Sequence, residues 1–272
     1  MILGQDLIIN MINSRTIDTF PHSLMIVGEY GGGKHLISYY IAERLGLTIK
    51  DITGNISLDT VNDIYSQVEP FIYLIDCSKM SVREQNVILK LLEEPLKNAF
   101  LVLLCQNTAG MLNTILNRCQ IWELKKYPKD IIAIFVTDDN NRDYILNVAK
   151  TPGQAKIMSG GNLPDIFDLC RRMMDKMSKA SLPNALSISD KIAFKNEKDK
   201  IDVFIFTQVL LQTAFEKYRD SKNKIFSKVY FLTKDYVYNN NLANVNQKYL
   251  LENYIVSLRN ILRSSDNENR AT

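Results

Sequence analysis

The sequence predicts an α/β protein in which the first half of the chain builds a parallel sheet and the remainder is helical. Three observations support this prediction. Short apolar runs alternate with helical patterns over the first 125 residues, a glycine-rich loop joins the first run to the following helix, and strand signals fade after Tyr127. With 272 residues, the chain is long enough for two or three domains.

The predicted strands are aliphatic or aromatic runs bounded by turn-forming or charged residues. They lack a clean alternation of apolar and polar positions, which is typical of strands buried on both faces. They occupy residues 24–27, 47–52, 71–75, 100–104 and 120–124. Because most successive runs are separated by a helical pattern, we expect parallel strands joined by right-handed crossovers.

The predicted helices carry apolar residues at helical spacing. Within the sheet region they span residues 36–45, 58–68 and 82–94, and the last of these has a capping box formed by Ser81 and Glu84 and is ended by Pro95. Shorter helices are expected next, followed by two long amphipathic stretches separated by an Asn-rich joint at residues 238–241. These helices cover residues 129–136, 141–150, 153–158, 164–177, 203–218 and 246–263, and the polar end at 264–272 is expected to fray.

Composition excludes several classes of protein. No run of 18 uncharged apolar residues and no secretory signal pattern is present, so we expect a cytoplasmic protein without a membrane span. The formal charge is +3, and from residue 181 onward there are 14 Lys and Arg against 10 Asp and Glu. A solvated helical surface explains this excess as well as a surface that binds nucleic acid does. The cysteines form no C-x-x-C pair, which predicts reduced thiols and no zinc site: Cys77, Cys105, Cys119 and Cys170.

The glycine-rich loop has the pattern G-x-x-x-x-G-K and lies between a predicted strand and a predicted helix. Gly28, Gly31 and Gly33 allow the backbone N–H groups to curl around a phosphate, and Lys34 can reach its oxygens. The next position normally supplies a hydroxyl to Mg²⁺, whereas His35 offers an imidazole that suits softer metals. Two interpretations stay open: weak binding of ATP or ADP, with Mg²⁺ only as its companion, or a loop that keeps the fold and binds no nucleotide.

An acidic residue ends the third predicted strand. In P-loop ATPases, an aspartate at the position of Asp76 helps to hold Mg²⁺, and the next residue is often a glutamate that polarises water. Here that residue is Cys77, and a thiol is a poor general base at neutral pH. Together with His35, it predicts inefficient hydrolysis. The alternative is that Asp76 only caps the following turn.

The order of these motifs resembles the clamp-loader subunits of bacterial DNA polymerase III, which are AAA+ proteins. The segment at 75–81 followed by 85–95 is similar to the acidic strand and QNALLK-LEEP segment of the delta-prime and gamma/tau subunits. Residues 105–107 resemble the sensor 1 segment, and residues 112–120 (LNTILNRCQ) resemble LLPTILSRCQ, whose arginine acts on a neighbouring subunit. The opening Ile-Leu-Gly-Gln at residues 2–5 also looks like this family.

This resemblance implies three domains: an AAA+ nucleotide-binding-type α/β domain at 1–127, a helical lid at 128–180 and a helical collar-like oligomerisation domain at 181–272. It implies a delta-prime-like subunit whose neighbours are gamma/tau and delta, and whose assembly loads a sliding clamp onto primed DNA. It assigns Arg118 as an arginine finger acting in trans, Asn107 as sensor 1 and Lys156 to the sensor 2 position. The family carries arginine at sensor 2, so a lysine there loses bidentate phosphate contact.

Other interpretations remain for the same residues. The alternative for Arg118 is a surface ion pair, which is the role of most arginines, and the alternative for Asn107 is an ordinary polar residue at a strand end. Asn117 replaces the serine of the family pattern, and the zinc-binding cysteines common in these subunits are absent. The alternatives for function are an active gamma/tau-type ATPase and a diverged AAA+-like protein outside replication.

Overall fold

A computed structural model describes residues 2–52, 56–78, 80–94, 96, 98–193, 201–222, 224–240 and 246–268. The proposed helix stop at Pro95, the motif residue Lys79, the last Asn of the joint at 241 and residues 269–272 lie outside this set. The chain forms two compact units, one of Met1–Val136 with Ala149–Lys156 and one of Thr137–Val148 with Ile157–Thr272. The division into three domains at 127 and 180 stays a prediction.

The first unit is built on a five-stranded parallel sheet of order β2-β3-β4-β1-β5. Its strands are β1 (Ser23–Val27), β2 (Thr48–Ile52), β3 (Phe71–Asp76), β4 (Ala99–Cys105) and β5 (Gln120–Glu123). All five predicted strands are confirmed, with ends shifted by one residue. The α/β class with a parallel sheet is therefore confirmed, and β4 lies at the centre of the sheet between β3 and β1.

Helices cover both faces of this sheet, which explains why the inner strands β1, β3 and β4 are nearly continuous apolar runs. The helices of the unit are α1 (Asp6–Asn13), α2 (Lys34–Leu45), α3 (Leu58–Tyr65), α4 (Val82–Glu93), α5 (Asn113–Leu116) and α6 (Lys129–Ile134). On one face of the sheet, Leu24 and Ile26 pack with α1 and α2, and on the other Met25 and Val27 pack with α3, α4 and α5.

Helix ends were predicted less well than helix positions. The capping box of α4 is confirmed, because the Glu84 amide donates to Ser81 Oγ (3.3 Å) and the Ser81 amide donates to Glu84 Oε2 (2.8 Å). The prediction that the preceding helix continues to residue 68 was wrong, since α3 ends at Tyr65 and Ser66 caps it. The helix predicted from residue 36 begins at Lys34, because Gly33 in the left-handed region ends the loop there.

The second unit is mainly helical. Two described two-residue strands, β6 (Ile192–Ala193) and β7 (Ile201–Asp202), pair in parallel. Its core is lined by buried side chains such as Phe167, Phe206 and Leu258. The remaining helices along the chain are α7 (Arg142–Val148), α8 (Pro152–Met158, which starts in the first unit), α9 (Leu163–Lys176), α10 (Leu182–Leu186), α11 (Val203–Ser221), α12 (Lys224–Asn240) and α13 (Gln247–Glu268).

Two predictions for the C-terminal region were wrong. The Asn-rich joint does not begin at residue 238, because α12 continues through Asn240. Its preceding turns carry the buried residues Val229, Thr233 and Tyr236, and tertiary packing outweighs the weak turn preference of asparagine. Residues 264–268, predicted to fray, belong to α13. Arg263 ties this end down by donating to Ser178 O (2.7 Å). Within the described residues, no helix is both long and apolar enough to cross a bilayer.

Candidate functional site

The glycine-rich loop connects β1 to α2, as the sequence predicted. Gly31 (φ 75°) and Gly33 (φ 87°) adopt the left-handed conformation, which other residues rarely accept. A Cβ at Gly28 would lie 2.8 Å from the Leu124 side chain, so this position has no room for a larger residue. The two glycines of the motif, Gly28 and Gly33, and the additional Gly31 are thus each explained by backbone geometry or by a close approach.

Lys34 folds back onto the loop that precedes it. Its Nζ donates to Gly28 O (2.6 Å) and to Glu29 O (3.2 Å), and only 9% of the residue is exposed. Burial lowers the pKa of the Lys34 ammonium, and the Asp76 carboxylate acts in the opposite direction. A phosphate that recruits this ammonium must therefore compete with two carbonyl oxygens.

The other side of the loop is covered by the segment at residues 151–154, which belongs to the same unit. Tyr30 O accepts from Thr151 Oγ1 (2.8 Å) and from Gln154 Nε2 (3.1 Å), and Gly31 O accepts from the Gly153 amide (3.0 Å). A Cβ at Gly153 would lie 2.6 Å from Gly31 Cα, so the two backbones are in direct contact. This segment fixes the shape of the loop.

One more contact completes the set. Tyr127 Oη donates to Gly32 O (2.8 Å), so every carbonyl from residue 28 to residue 32 accepts a hydrogen bond from within the chain. The first turn of α2, in contrast, receives no side-chain cap, since its N-cap is Gly33. With its carbonyls engaged and the helix N–H groups left uncapped, the loop keeps these N–H groups available to an anion.

Asp76 and Asn107 lie at the same edge of the sheet as the loop. β4 lies between β1 and β3, and the carboxyl ends of these parallel strands are adjacent. The Gly28 amide donates to Cys105 O (3.1 Å), and the Cys77 amide donates to Leu104 O (2.7 Å). The structure therefore brings together the loop, Asp76 and the segment that contains Asn107.

Both polar side chains are also used in local turns. Asp76 Oδ1 accepts from the Ser78 amide (2.9 Å), and Asn107 Oδ1 accepts from the Ala109 amide (3.1 Å). Both residues are exposed. The turn-capping interpretation of Asp76 thus has a geometric basis, although each side chain keeps further acceptor capacity for a ligand.

Cys77 faces away from the loop. Its side chain is 5% exposed and packs in the core beneath α4, where Cys77 Sγ lies 3.7 Å from Ile75 O. Burial raises the pKa of the Cys77 thiol far above its ordinary value. His35, in the first turn of α2, is exposed. Neither residue supplies the oxygen ligands that Mg²⁺ prefers. These two positions therefore lack the hydroxyl and the carboxylate that the sequence pattern of a P-loop ATPase places there.

Arg118 lies at the opposite edge of the sheet, where the parallel strands begin. It follows α5 and precedes β5. Because β5 runs parallel to β1, the start of β5 and the end of β1 lie about 10 Å or more apart, which is the length of these strands. Arg118 Nη2 forms an ion pair with Glu93 Oε1 (2.9 Å), and Arg118 Nη1 donates to Thr114 O (2.9 Å). Its side chain is 37% exposed, so the guanidinium remains accessible.

Lys156 is exposed in the last turn of α8. In its segment, the residues that contact the loop are Thr151, Gly153 and Gln154, and sequence reasoning assigned none of them a role. The only signal was the Thr-Pro-Gly-Gln order itself, which predicts a helix start and says nothing about a distant loop.

Two buried glutamines were also missed. Gln85 Oε1 accepts from the Leu112 amide (2.9 Å), and Gln85 Nε2 donates to Gly110 O (2.9 Å), which fixes the loop leading into α5. Gln5 makes the same pair of contacts with the backbone of Lys125, at 2.8 and 2.9 Å. Gln85 stands three positions before Ile88 on the apolar stripe of α4, and a polar residue in such a stripe is a detectable signal.

Among the described residues, no three His, Cys, Asp or Glu side chains converge in a way that could hold a metal ion. Cys77, Cys105 and Cys170 are buried free thiols and Cys119 is partly buried. Burial raises the pKa of Cys105 to about 11 and that of Cys119 to about 12. These thiols behave as small apolar groups of the core.

Comparison with known proteins gives a consistent set of relatives. Residues 47–128 match the family described as "DNA polymerase III, delta subunit". The chain is 32% identical over 87 residues to the DNA polymerase III subunit delta' of Haemophilus influenzae, covering 29% of this chain and 26% of the relative. It is 25% identical over 269 residues to the gamma/tau subunit of Mycoplasma genitalium, covering 85% and 44%. The chain thus spans about a quarter and less than half of the length of these two relatives.

Two solved structures are similar to this chain at low sequence identity. A gamma subunit-related protein of DNA polymerase III from Thermotoga maritima is 16% identical, with a TM-score of 0.46 and coverage of 94% of this chain and 99% of that one. The RuvB Holliday junction branch migration motor of the same organism is also 16% identical, with a TM-score of 0.45 and coverage of 79% and 77%.

Proposed function

We propose that this chain is a clamp-loader-type subunit of DNA polymerase III, which its family match and its curated relatives support, and that it acts as a delta-prime-like subunit. In this role it supplies Arg118 to ATP bound by a neighbouring subunit, while its own loop does not hydrolyse ATP. The single observation that carries the proposal is the position of Arg118, which is exposed at the sheet edge opposite to the glycine-rich loop. Arg118 therefore cannot serve the chain's own loop.

The chain's own loop supports the second half of the proposal. Bound ATP would supply a transferable phosphoryl group, and residues of the loop with Lys34 would hold its phosphates. The position that should polarise water carries the Cys77 thiol, whose side chain points into the core and whose pKa is raised by burial. A group that neither faces the site nor ionises there cannot act as a general base. Nucleotide at this loop therefore has a binding role at most.

The two contacts of Arg118 within its own chain leave it capacity for a second partner. A guanidinium has five N–H donors, and the bonds to Glu93 and Thr114 engage two of them. Three donors remain, which is sufficient for bidentate contact with a phosphoryl group. An arginine in this position stabilises the charge of the transferring phosphoryl and is worth roughly 10³–10⁵ in rate at the site it serves.

A second candidate is an active gamma/tau-type ATPase. The observations that favour it are the alignment with a gamma/tau subunit over 85% of this chain and the intact glycines and Lys34. Under this alternative, the isolated chain hydrolyses ATP. Under our proposal it does not, and the measured turnover of the purified chain distinguishes the two.

The decisive experiment is reconstitution of the chain with gamma/tau and delta subunits, a sliding clamp and primed DNA. ATP turnover stimulated by the clamp is compared for the wild type, for Arg118→Ala and for Arg83→Ala, a matched control in which an exposed arginine of α4 is removed. We expect Arg118→Ala to lose the turnover of the site that it serves, and Arg83→Ala to retain it. An assembled Arg118→Ala complex with wild-type turnover refutes the finger assignment. A chain that fails to assemble with these subunits at all supports a protein outside replication.

A further inference from the structure

The ion pair between Arg118 and Glu93 joins two elements that meet at the edge of the sheet. Glu93 is the last residue of α4, and Arg118 follows α5. Glu93 Oε1 binds Nη2 and the Thr114 carbonyl binds Nη1, each at 2.9 Å, so both terminal nitrogens of the guanidinium are anchored. An arginine side chain has several rotatable bonds, and two anchors on different elements select one of its conformations.

The elements that carry these anchors are themselves fixed. α4 is held by its capping box and by Ile88 and Leu91 in the core. The loop before α5 is held by the buried Gln85 amide. Glu93 and Thr114 therefore offer a stationary acceptor pair to a side chain that would otherwise sample many conformations.

We infer that Glu93 is a positioning residue, which holds the Arg118 guanidinium ready for a phosphoryl group bound by the neighbouring subunit. This inference rests on the proposed function. The pair is suited to this role because both partners are substantially exposed, at 37% and 51%. An exposed ion pair contributes little to folding stability, so its value lies in restricting the side chain before the neighbour's phosphate arrives.

The experiment uses the reconstituted complex and four variants: Glu93→Ala, Glu93→Gln, Arg118→Ala and the double variant Glu93→Ala/Arg118→Ala. In Glu93→Ala the Arg118 side chain is no longer ordered before the reaction, so the free-energy cost of ordering it is added to the activation barrier. For one long side chain, this cost lowers kcat about two- to tenfold. KM for ATP should not change, since the neighbour's own residues bind the nucleotide. Glu93→Gln keeps an acceptor oxygen and should fall between the wild type and Glu93→Ala.

Glu94→Ala is the matched control, because Glu94 is the adjacent exposed carboxylate and forms no ion pair among the described residues. We expect it to match the wild type. In the Arg118→Ala background, Glu93→Ala should have no further effect, because the group that it positions is gone. Wild-type or higher turnover of Glu93→Ala overturns the inference, and so does an equal decrease in both backgrounds, which indicates a merely structural role.

A measurement that does not depend on turnover separates this inference from the proposed function. In the isolated chain, ¹⁵N relaxation of Arg118 Nε should report an ordered side chain in the wild type and in Glu94→Ala, and a mobile one in Glu93→Ala. An equally mobile Nε in the wild type refutes the anchor even if Arg118→Ala abolishes turnover. A second outcome is that Arg118 Nε is ordered in the wild type and mobile in Glu93→Ala, while Arg118→Ala keeps full turnover. This outcome refutes the proposed function, and the ion pair with Glu93 then has no role in catalysis.

Discussion

Adding one methyl group at Gly153 tests how the glycine-rich loop is held. The new Cβ would lie 2.6 Å from Gly31 Cα and 2.7 Å from Gly31 O, and because both are backbone atoms neither can rotate away. Overpacking of this kind costs about 1–3 kcal/mol. If the segment instead moves away, it loses three hydrogen bonds to the carbonyls of Tyr30 and Gly31, each worth about 0.5–1.5 kcal/mol.

An opposing effect makes the sign of the result informative. Gly153 lies in the first turn of α8, where alanine is intrinsically a better helix former than glycine by at most about 1 kcal/mol. Without the contact to Gly31, Gly153→Ala would therefore stabilise the chain. With the contact, the clash is the larger of the two effects, and we expect a net loss of about 1–2 kcal/mol.

The assay is urea unfolding followed by the fluorescence of Trp122, which is the single tryptophan of the sequence and is buried in the first unit. Gly110→Ala is the control, because a Cβ there meets no atom within 4 Å, and its free energy of unfolding should stay within about 0.5 kcal/mol of the wild type. A Gly153→Ala variant as stable as the wild type, or more stable, refutes the contact.

Three further predictions concern the first unit. Cys77→Glu should not create ATPase activity and should destabilise the chain by several kcal/mol, since the side chain points into the core. ATP turnover tests the first expectation and urea unfolding tests the second. New ATP turnover would contradict the first. Gln85→Ala should cost about 1–3 kcal/mol in the same unfolding assay, because it leaves buried backbone groups of the loop before α5 without partners; an unchanged midpoint would show that water replaces the amide. Hydrogen bonds from Ser81 lower the pKa of Glu84 in the folded chain, so the stabilisation that this carboxylate contributes is complete above the ordinary pKa of 4.5 and is lost as the pH falls below that value. The free energy of unfolding should therefore depend less on pH in Ser81→Ala than in the wild type. An unchanged pH profile in this variant would show that the Ser81 hydroxyl is not the cause of the dependence.

The sheet could be predicted because its inner strands β1, β3 and β4 are buried on both faces. Alternating residues of β1 enter two different cores, so the positions from Leu24 to Val27 are all apolar and the run is recognisable in the sequence. The ends of the helices could not be predicted equally well. α12 carries asparagines into its last turn because its earlier residues pack in the core, and local turn preference does not contain that information.

The candidate site divides in the same way. Parallel strand order places Lys34, Asp76 and Asn107 at one edge of the sheet and Arg118 at the other. The roles that the motifs predict for these residues stay predictions. The contacts that hold these groups join residues far apart in the sequence. Thr151 is 121 positions from Tyr30, and no periodicity or spacing connects them.

The complete internal bonding of the loop carbonyls has a consequence for any ligand-binding measurement. Such a loop keeps the shape of its backbone without a ligand, and the group that would have to rearrange for a phosphate is Lys34, which would give up its bonds to Gly28 O and Glu29 O. The rise in melting temperature with ATP concentration, through RT ln(1 + [L]/Kd), would then report a dissociation constant that includes the cost of freeing this ammonium.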